Sequence, residues 1–229
     1  MPKNFTSEWC KSWIRKESPN KKKMRAVTIV KRLKRAYPNA KIMLKYGNDV
    51  QLLVAVILSA QCTDKKVNEV TEKLFKKYKT AKDFAGANLK TLEQEIKSTG
   101  FYHAKAKSVQ AACCMIVEKF GGKLPRTMAE ILQLRGVARK TANVVLGNAF
   151  GVVKGIAVDT HVRRLSQRLG FTKNNTPEKI EQDLVALIAK KDWFKLTYLL
   201  IEHGRAVCIS QRPKCSECVL RDLCPSSRI

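Results

Sequence analysis

Hydrophobic residues recur along most of the chain at the spacing of three or four residues that an α-helix requires. Two such stripes lie in the first quarter of the chain: Val27, Val30 and Leu33, then Leu52, Leu53, Val56, Ile57 and Ala60. No segment combines sustained alternation with the Asn-Gly or Asp-Gly turns that join paired strands. The pattern therefore predicts an all-α fold of about ten helices.

Helix starts are marked by capping signals. Thr127 and Glu130 form a capping-box pattern, and Thr176 stands before Pro177 at the start of a further apolar stripe. The first 23 residues instead mix Ser, Asn and Lys with isolated aromatics and end in three lysines. We predict that residues 1–23 form a basic, loosely ordered extension, with helices beginning from Met24.

The charge balance indicates a polyanionic partner. The chain has 45 Lys and Arg against 19 Asp and Glu, a formal charge of +26, and these cations are spread along the chain. Nucleic acid fits better than an anionic membrane, because the sequence has no basic amphipathic anchor or lipidation motif. Its longest apolar stretch, 52–60, is too short to span a bilayer, and no secretory signal is apparent, so we expect a cytoplasmic protein.

Four cysteines crowd the C-terminus as Cys208, Cys215, Cys218 and Cys224, with the spacing C-x6-C-x2-C-x5-C. Four thiolates in one short segment can converge on a single metal centre. The uneven spacing favours an iron–sulfur cluster over the paired C-x2-C knuckles of most zinc sites. Tetrahedral zinc stays open as the alternative, and four free thiols fit less well.

The segment LRGVARKTANVVLGNAF, residues 134–150, joins two helices through a tight turn and predicts a helix–hairpin–helix. Gly136 allows close approach to the main chain, and the N-terminus of the second helix presents free N–H groups to a phosphate. Arg139 adds charge, so the turn can grip the DNA backbone without reading bases. A plain helix connection is the alternative.

Lys140 and Asp159 are the candidate catalytic residues. Lys140 lies in the first turn of a predicted helix in a basic protein. The helix dipole and the surrounding positive charge both disfavour an ammonium there, so we expect both to favour the neutral, nucleophilic amine. The alternative is a charged lysine that grips phosphate. Asp159 has two compatible roles, as the N-cap of the next helix and as a carboxylate that stabilises positive charge on a sugar ring.

Four motifs together carry a family resemblance. LSAQCTD (58–64), LRGVARKTANVVL (134–146), VDTH (158–161) and the four-cysteine run resemble endonuclease III, over about residues 24–224. The resemblance implies a bifunctional DNA glycosylase and abasic-site lyase that acts on oxidised pyrimidines in double-stranded DNA and holds a [4Fe-4S] cluster. It also implies two helical lobes: a six-helix domain, 42–152, that contains the hairpin, and a cluster domain made from 24–41 and 153–229.

The resemblance also assigns roles to residues. Lys140 matches the nucleophile and Asp159 its supporting carboxylate. Gln61 matches the residue that fills the space left by the extruded base, and Asp64 matches a pocket residue. From the sequence alone, Gln61 would be a surface residue and Asp64 a helix cap.

The four cysteines match the cluster ligands, and the loop between the first two carries Arg212 and Lys214, which we expect to contact phosphates. The sequence departs from the family pattern at three other DNA-binding positions. Arg135 and Ala138 stand where the hairpin usually has Pro and Gly, and Phe101 stands where a Leu wedge is expected. We expect Arg135 to add a phosphate contact, Ala138 to be strained if its φ is positive, and Phe101 to act as a bulkier wedge.

Two other functions stay open at this point. One is a non-catalytic iron–sulfur protein that only docks on DNA. The other is a monofunctional mismatch glycosylase, although the relatives of that kind lack the nucleophilic lysine. We expect a monomer that associates with the nucleoid.

Overall fold

A computed structural model describes residues 12–229 of the chain. Over these residues the fold contains eleven α-helices and no strand, which confirms the predicted all-α class. The chain divides into two compact units, which we call the terminal unit (12–41 with 155–229) and the middle unit (42–154). The middle unit begins at 42 and ends at 154, and the resemblance implied a domain over 42–152.

The middle unit contains seven α-helices, one more than the sequence predicted. They are α2 (Asp49–Leu58), α3 (Asp64–Lys77), α4 (Ala81–Ala85), α5 (Leu89–Glu95), α6 (Tyr102–Phe120), α7 (Met128–Ile131) and α8 (Arg139–Phe150), with a 3-10 turn at Lys97–Thr99 before α6. The shortest two, α4 and α7, each open with a capping box, formed by Thr80 with Asp83 and by Thr127 with Glu130. The second of these boxes was predicted from the sequence and is confirmed.

Helix α2 is the centre of the middle unit. Every residue from Val50 to Leu58 is buried, and the helix packs against α3, α6 and α8. A helix that is apolar all round needs partners on every side, so α2 organises the neighbours that carry the hairpin. The helix ends at Leu58, and Ala60, which the sequence placed in the same stripe, is exposed.

The terminal unit contains α1 (Pro19–Ala36), α9 (Thr160–Arg168), α10 (Pro177–Leu187) and α11 (Trp193–Ala206). Helix α11 packs against α1 and α9, and α9 packs against α10. Short 3-10 turns lie at Ser12–Lys16, Lys190–Asp192 and Cys215–Glu217. Among the helices of residues 12–229, none is both long and apolar enough to cross a bilayer.

The predicted extension is wrong for residues 19–23, and residues 1–11 lie outside the described part. Helix α1 begins at Pro19, with Ser18 as its N-cap. The apolar pattern missed this start because the first turns of α1 are polar and exposed. The buried face of α1 is formed by Ala26, Ile29, Val30 and Leu33, whereas Val27 is 58% exposed.

An ion pair fastens the start of α1 to the rest of the terminal unit. Arg25 Nε and Nη2 donate to the two carboxylate oxygens of Glu17 at 2.7 and 2.8 Å, and both side chains are 6% exposed. Arg25 Nη1 also donates to the carbonyls of Leu169 and Leu223 at 2.7 and 3.2 Å. The N-terminal segment therefore holds both the end of α9 and the segment that contains Cys224.

Replacing Glu17 with Ala leaves the buried Arg25 charge without its carboxylate. The free energy of unfolding, measured in urea, should fall by about 3–5 kcal/mol, the usual effect of removing one partner of a buried pair. The control, Glu72→Ala, removes an exposed carboxylate on α3 and should change it by no more than about 0.5 kcal/mol. Equal losses in the two variants would contradict the structural role of this pair.

Candidate active site and cluster site

The hairpin predicted from the sequence is formed by α7, a turn over residues 132–138, and α8. Gly136 lies in this turn with φ +79°, a conformation that costs little only for glycine. A Cβ atom at this position would lie 2.7 Å from Ser108 Cβ on α6. Both the backbone conformation and the packing against α6 therefore require glycine.

Ala138 is the N-cap of α8, with φ −88° and ψ 170°. This is extended backbone, so the expected strain does not occur at Ala138. Its methyl group provides no side-chain acceptor, and the start of α8 has no side-chain cap. The first N–H groups of α8 are thus available to an anion at the positive end of the helix dipole.

Three cationic side chains surround this helix start. Arg135 lies in the turn, Arg139 is the first residue of α8 and Lys140 the second, and all three are exposed. The Lys140 amine is thus accessible at a helix N-terminus that can bind a phosphate. This arrangement can place an amine beside the DNA backbone.

Asp159 is the N-cap of α9. Its Oδ1 accepts a hydrogen bond from Val162 N at 2.7 Å, so the capping role is confirmed. The Asp159 side chain is half-buried, and the three residues that precede it in the chain, Ile156, Ala157 and Val158, are buried. The bond to a backbone N–H fixes the carboxylate in one orientation. Asp159 belongs to the terminal unit and Lys140 to the middle unit.

Gln61 and Phe101 share an unusual backbone conformation. Their φ values are +52° and +50°, and they are the two non-glycine residues with positive φ in the described part of the chain. This conformation costs roughly 1–2 kcal/mol for an L-residue. Gln61 is exposed between α2 and α3, and Phe101 is 65% exposed immediately before α6. Strain of this kind concentrates at functional sites.

Asp64 is half-buried as the first residue of α3, but it is not the cap. The N-cap is Thr63, whose Oγ1 accepts from Lys66 N at 3.3 Å. The expectation that Asp64 is a cap is therefore wrong by one residue, while its half-buried position beside Gln61 is consistent with a pocket residue.

The four C-terminal cysteines line a single cavity in the terminal unit. No three His, Cys, Asp or Glu side chains among residues 12–229 are close enough to bind one metal ion. Four thiolates around a cubane lie further apart than four around one zinc, because the irons and sulfides lie between them. Four cysteines that line one cavity fit a [4Fe-4S] cluster.

Burial also affects the protonation of two of these thiols. Burial raises the pKa of Cys224 to about 12, and it is the main cause that raises the pKa of Cys218. Buried thiols of this kind are protonated at neutral pH unless a metal centre stabilises the thiolates. The residues present therefore fit the cluster.

Two further residues contact the cysteines, and a third contacts one of these two; sequence reasoning missed all three. Arg168 Nη1 lies 3.2 Å from Cys208 Sγ and also donates to Ile209 O at 2.8 Å. His203 Nε2 lies 3.4 Å from Cys218 Sγ, and its Nδ1 is 3.0 Å from the Tyr37 hydroxyl. A thiolate only accepts, so the ligating state of Cys218 places the proton on Nε2, and Tyr37 then donates to Nδ1. The sequence offered one signal for this contact, the position of His203 five residues before Cys208.

The loop between Cys208 and Cys215 presents Arg212 and Lys214, both exposed. Lys214 N donates to Val207 O at 3.0 Å, which ties the loop to the end of α11. The Lys214 ammonium lies 4.0 Å from Glu217 Oε2, a separation at which an exposed pair contributes little. Both cations are available to phosphates.

Comparisons with known proteins agree with this geometry. A family model described as HhH-GPD superfamily base excision DNA repair protein matches residues 54–190. A second model, described as the iron-sulfur binding domain of endonuclease III, matches residues 208–224. Among curated proteins, endonuclease III of Synechocystis sp. is 54% identical over 90% of this chain and 94% of that protein. Endonuclease III of Bacillus subtilis is 47% identical over 82% and 86%.

Solved structures give the same picture. A trapped covalent intermediate of an endonuclease III with DNA matches with a TM-score of 0.86 at 42% identity, over 90% of this chain and 97% of that one. A thermostable thymine-DNA glycosylase matches with a TM-score of 0.80 at 22% identity, over 92% and 99%. The second likeness shows the fold alone.

Replacing Gly136 with Ala tests the geometry of the hairpin. The substitution adds a positive-φ penalty of about 1–2 kcal/mol and a contact with Ser108 that cannot be accommodated without movement of α6. The matched control is Gly151→Ala, at φ +65° with no atom within 4 Å of the new Cβ, which pays the conformational penalty alone. The loss in free energy of unfolding should therefore be larger for Gly136→Ala, and equal losses would contradict the packing against α6.

Proposed function

The chain belongs to the endonuclease III family, and from that premise we propose that it removes oxidised pyrimidines from DNA through a Schiff base on Lys140. The protein is a base excision repair DNA glycosylase that binds double-stranded DNA and carries a [4Fe-4S] cluster. The lesion class, the residue roles and the balance between the two activities are our proposal. The observation that carries it is the exposed Lys140 amine at the uncapped start of α8.

The first step is an attack by the amine on the sugar of the extruded nucleotide. The Lys140 Nζ lone pair forms a bond to C1′ while the bond from C1′ to the base breaks, and the base leaves with that electron pair and takes up a proton. Positive charge develops on the sugar ring in this step. The Asp159 carboxylate, oriented by the Val162 N–H, stabilises that charge.

The second step breaks the strand. Nζ gives up one proton, and the bond from C1′ to the ring oxygen breaks while that oxygen takes up a proton. This leaves a protonated Schiff base between Nζ and C1′, whose positive charge acidifies the C2′ proton. Removal of that proton forms a double bond between C2′ and C3′, and the bond from C3′ to its oxygen breaks with departure of the 3′ phosphate. The result is β-elimination on the 3′ side of the lesion, with no net oxidation or reduction.

Binding in this proposal relies on main-chain groups and cations. The N–H groups at the start of α8 and the side chains of Arg135 and Arg139 hold a phosphate next to Lys140. Rotation of the lesion out of the stack leaves a gap that Gln61 and Phe101 fill, and Asp64 lines the pocket. A phenyl ring at 101 supplies more stacking area than the Leu that the family pattern leads one to expect.

The cluster has a structural role in this proposal. Bound to Cys208, Cys215, Cys218 and Cys224, it cross-links a segment that otherwise contains only one 3-10 turn. Arg212 and Lys214 in that segment then meet phosphates from a fixed position. We further propose that the protein acts as a monomer at the nucleoid in the cytoplasm, since its charge of +26 favours DNA.

Borohydride trapping on a duplex that contains thymine glycol tests the nucleophile. Reduction of the Schiff base should join the native protein covalently to DNA, whereas Lys140→Gln should give no adduct. The control, Lys123→Gln, removes an exposed lysine of the same unit and should trap as the native protein does. Adduct formation by Lys140→Gln would refute the assignment, and tight abasic-site binding by a native protein that never traps would indicate a docking protein.

Asp159→Asn separates the two roles of the carboxylate. Asn keeps an oxygen that can accept from Val162 N, so the free energy of unfolding should fall by no more than about 1 kcal/mol, for the lost charge at the helix N-terminus. Base release under single-turnover conditions should fall by about 100-fold or more, because the developing positive charge loses its counter-charge. Native rates of base release in a folded Asp159→Asn protein would limit Asp159 to capping.

A further inference from the structure

A buried lysine lies between the two loops that carry Gln61 and Phe101. Lys105, on α6, is 5% exposed. Its Nζ donates to Leu58 O and to Thr99 O, each at 2.8 Å. Leu58 is the last residue of α2, three positions before Gln61, and Thr99 ends the 3-10 turn, two positions before Phe101.

This environment is costly for a lysine. An ammonium that leaves water must have its donors satisfied, and burial lowers the pKa of Lys105. Both acceptors are carbonyls at the C-terminal end of a helical segment, where no later turn of the same helix supplies an N–H donor. The partial negative charge of these helix ends favours a cation. The chain thus uses a buried charge to join two helix ends.

The same residue also holds Phe101 directly. Lys105 N donates to Phe101 O at 3.0 Å, so its main chain and its side chain together contact both loops. Gln61 and Phe101 lie just beyond these contacts, in the left-handed conformation. Residues in that conformation persist only where their surroundings hold them. The side chain of Lys105 connects the two segments that lead into the strained positions.

We propose that Lys105 is a positioning residue for base extrusion. Its ammonium fixes the two loops relative to each other, so that Gln61 and Phe101 can enter the same duplex together. The inference rests on the proposed function, which assigns Gln61 and Phe101 to the gap left by the extruded base. Lys105 itself touches neither the lesion nor the reacting atoms.

Two substrates separate positioning from a general effect on the enzyme. Removal of thymine glycol from a duplex requires extrusion, whereas trapping on a single-stranded abasic site requires only the Lys140 amine. With saturating protein and in a single turnover, Lys105→Met should slow the duplex reaction by about tenfold or more, the effect of misplacing a group by about 1 Å. The same variant should trap single-stranded abasic DNA at the native rate.

Lys107→Met is the matched control, since Lys107 is exposed on the same helix. It removes the same charge without touching either loop and should leave both rates unchanged. A double-mutant cycle with Phe101→Ala tests whether Lys105 acts through Phe101. In a protein that already lacks the phenyl ring, Lys105→Met should slow the duplex reaction much less than it does in the native protein. Thermal unfolding of each variant establishes that the reactions are compared between folded proteins.

If Lys105→Met does not fold, Lys105→Gln retains a donor group and should show the same selective loss on the duplex. Equal losses on both substrates, no loss on the duplex, or additive effects in the cycle would each overturn the inference. A native protein that fails to trap on either substrate would instead refute the proposed function. A native protein that traps, with Phe101→Ala and Gln61→Ala fully active on the duplex, would remove the extrusion roles on which Lys105 depends.

Discussion

Several of the residues that the proposed function uses lie at helix ends, where backbone groups have no partner within the helix. The uncapped start of α8 presents N–H groups beside Lys140, and the start of α9 is capped by Asp159. Gln61 follows the end of α2, and Phe101 precedes α6. Cys208 follows α11, with its N–H bonded to His203 O at 2.8 Å. Because each end needs an outside partner, helix ends are places where an all-α chain can bind other groups.

The charges near each helix end determine which partner binds its free backbone groups. Helices α2, α3, α4, α7 and α10 have an acidic residue in their first turn, whereas α8 has neither an acidic residue in its first turn nor a side-chain cap. In the proposed function, a DNA phosphate binds the free N–H groups at the start of α8. Inside the protein, buried cationic side chains bind the free backbone groups at helix ends. Arg25, which is paired with Glu17, does so in the terminal unit, and Lys105 does so in the middle unit.

Much of the fold and of the candidate site could be predicted from the sequence, because the motifs that indicate them are formed by residues close together in the chain. Capping by Thr127 and Asp159 depends on residues three positions apart, and the cysteine spacing alone indicates a metal centre. The family and fold are confirmed by relatives that span most of the chain. The roles of Lys140 and Asp159 stay predictions, since they depend on chemistry that the fold by itself does not display.

The remainder depends on tertiary contacts. The early start of α1 is stabilised by Arg25 reaching Leu169 and Leu223, residues far away in the sequence. In the sequence, nothing distinguishes Lys105 from an exposed lysine. It is buried because α6 packs against α2. The positive φ of Phe101 and the extended backbone of Ala138 follow from how the adjoining helices are placed, so no residue preference could reveal them. Strain was expected at Ala138 only if its φ were positive; the non-glycine residues with positive φ in the described part of the chain are Gln61 and Phe101.

The identity of the attacking amine tests the central claim most directly. After borohydride reduction on a thymine glycol duplex, digestion of protein and DNA followed by mass spectrometry of the peptides locates the sugar remnant. We predict that the remnant is attached to Nζ of Lys140, in the peptide that begins the second helix of the hairpin. Attachment to any other lysine or to the N-terminal amine would contradict the account.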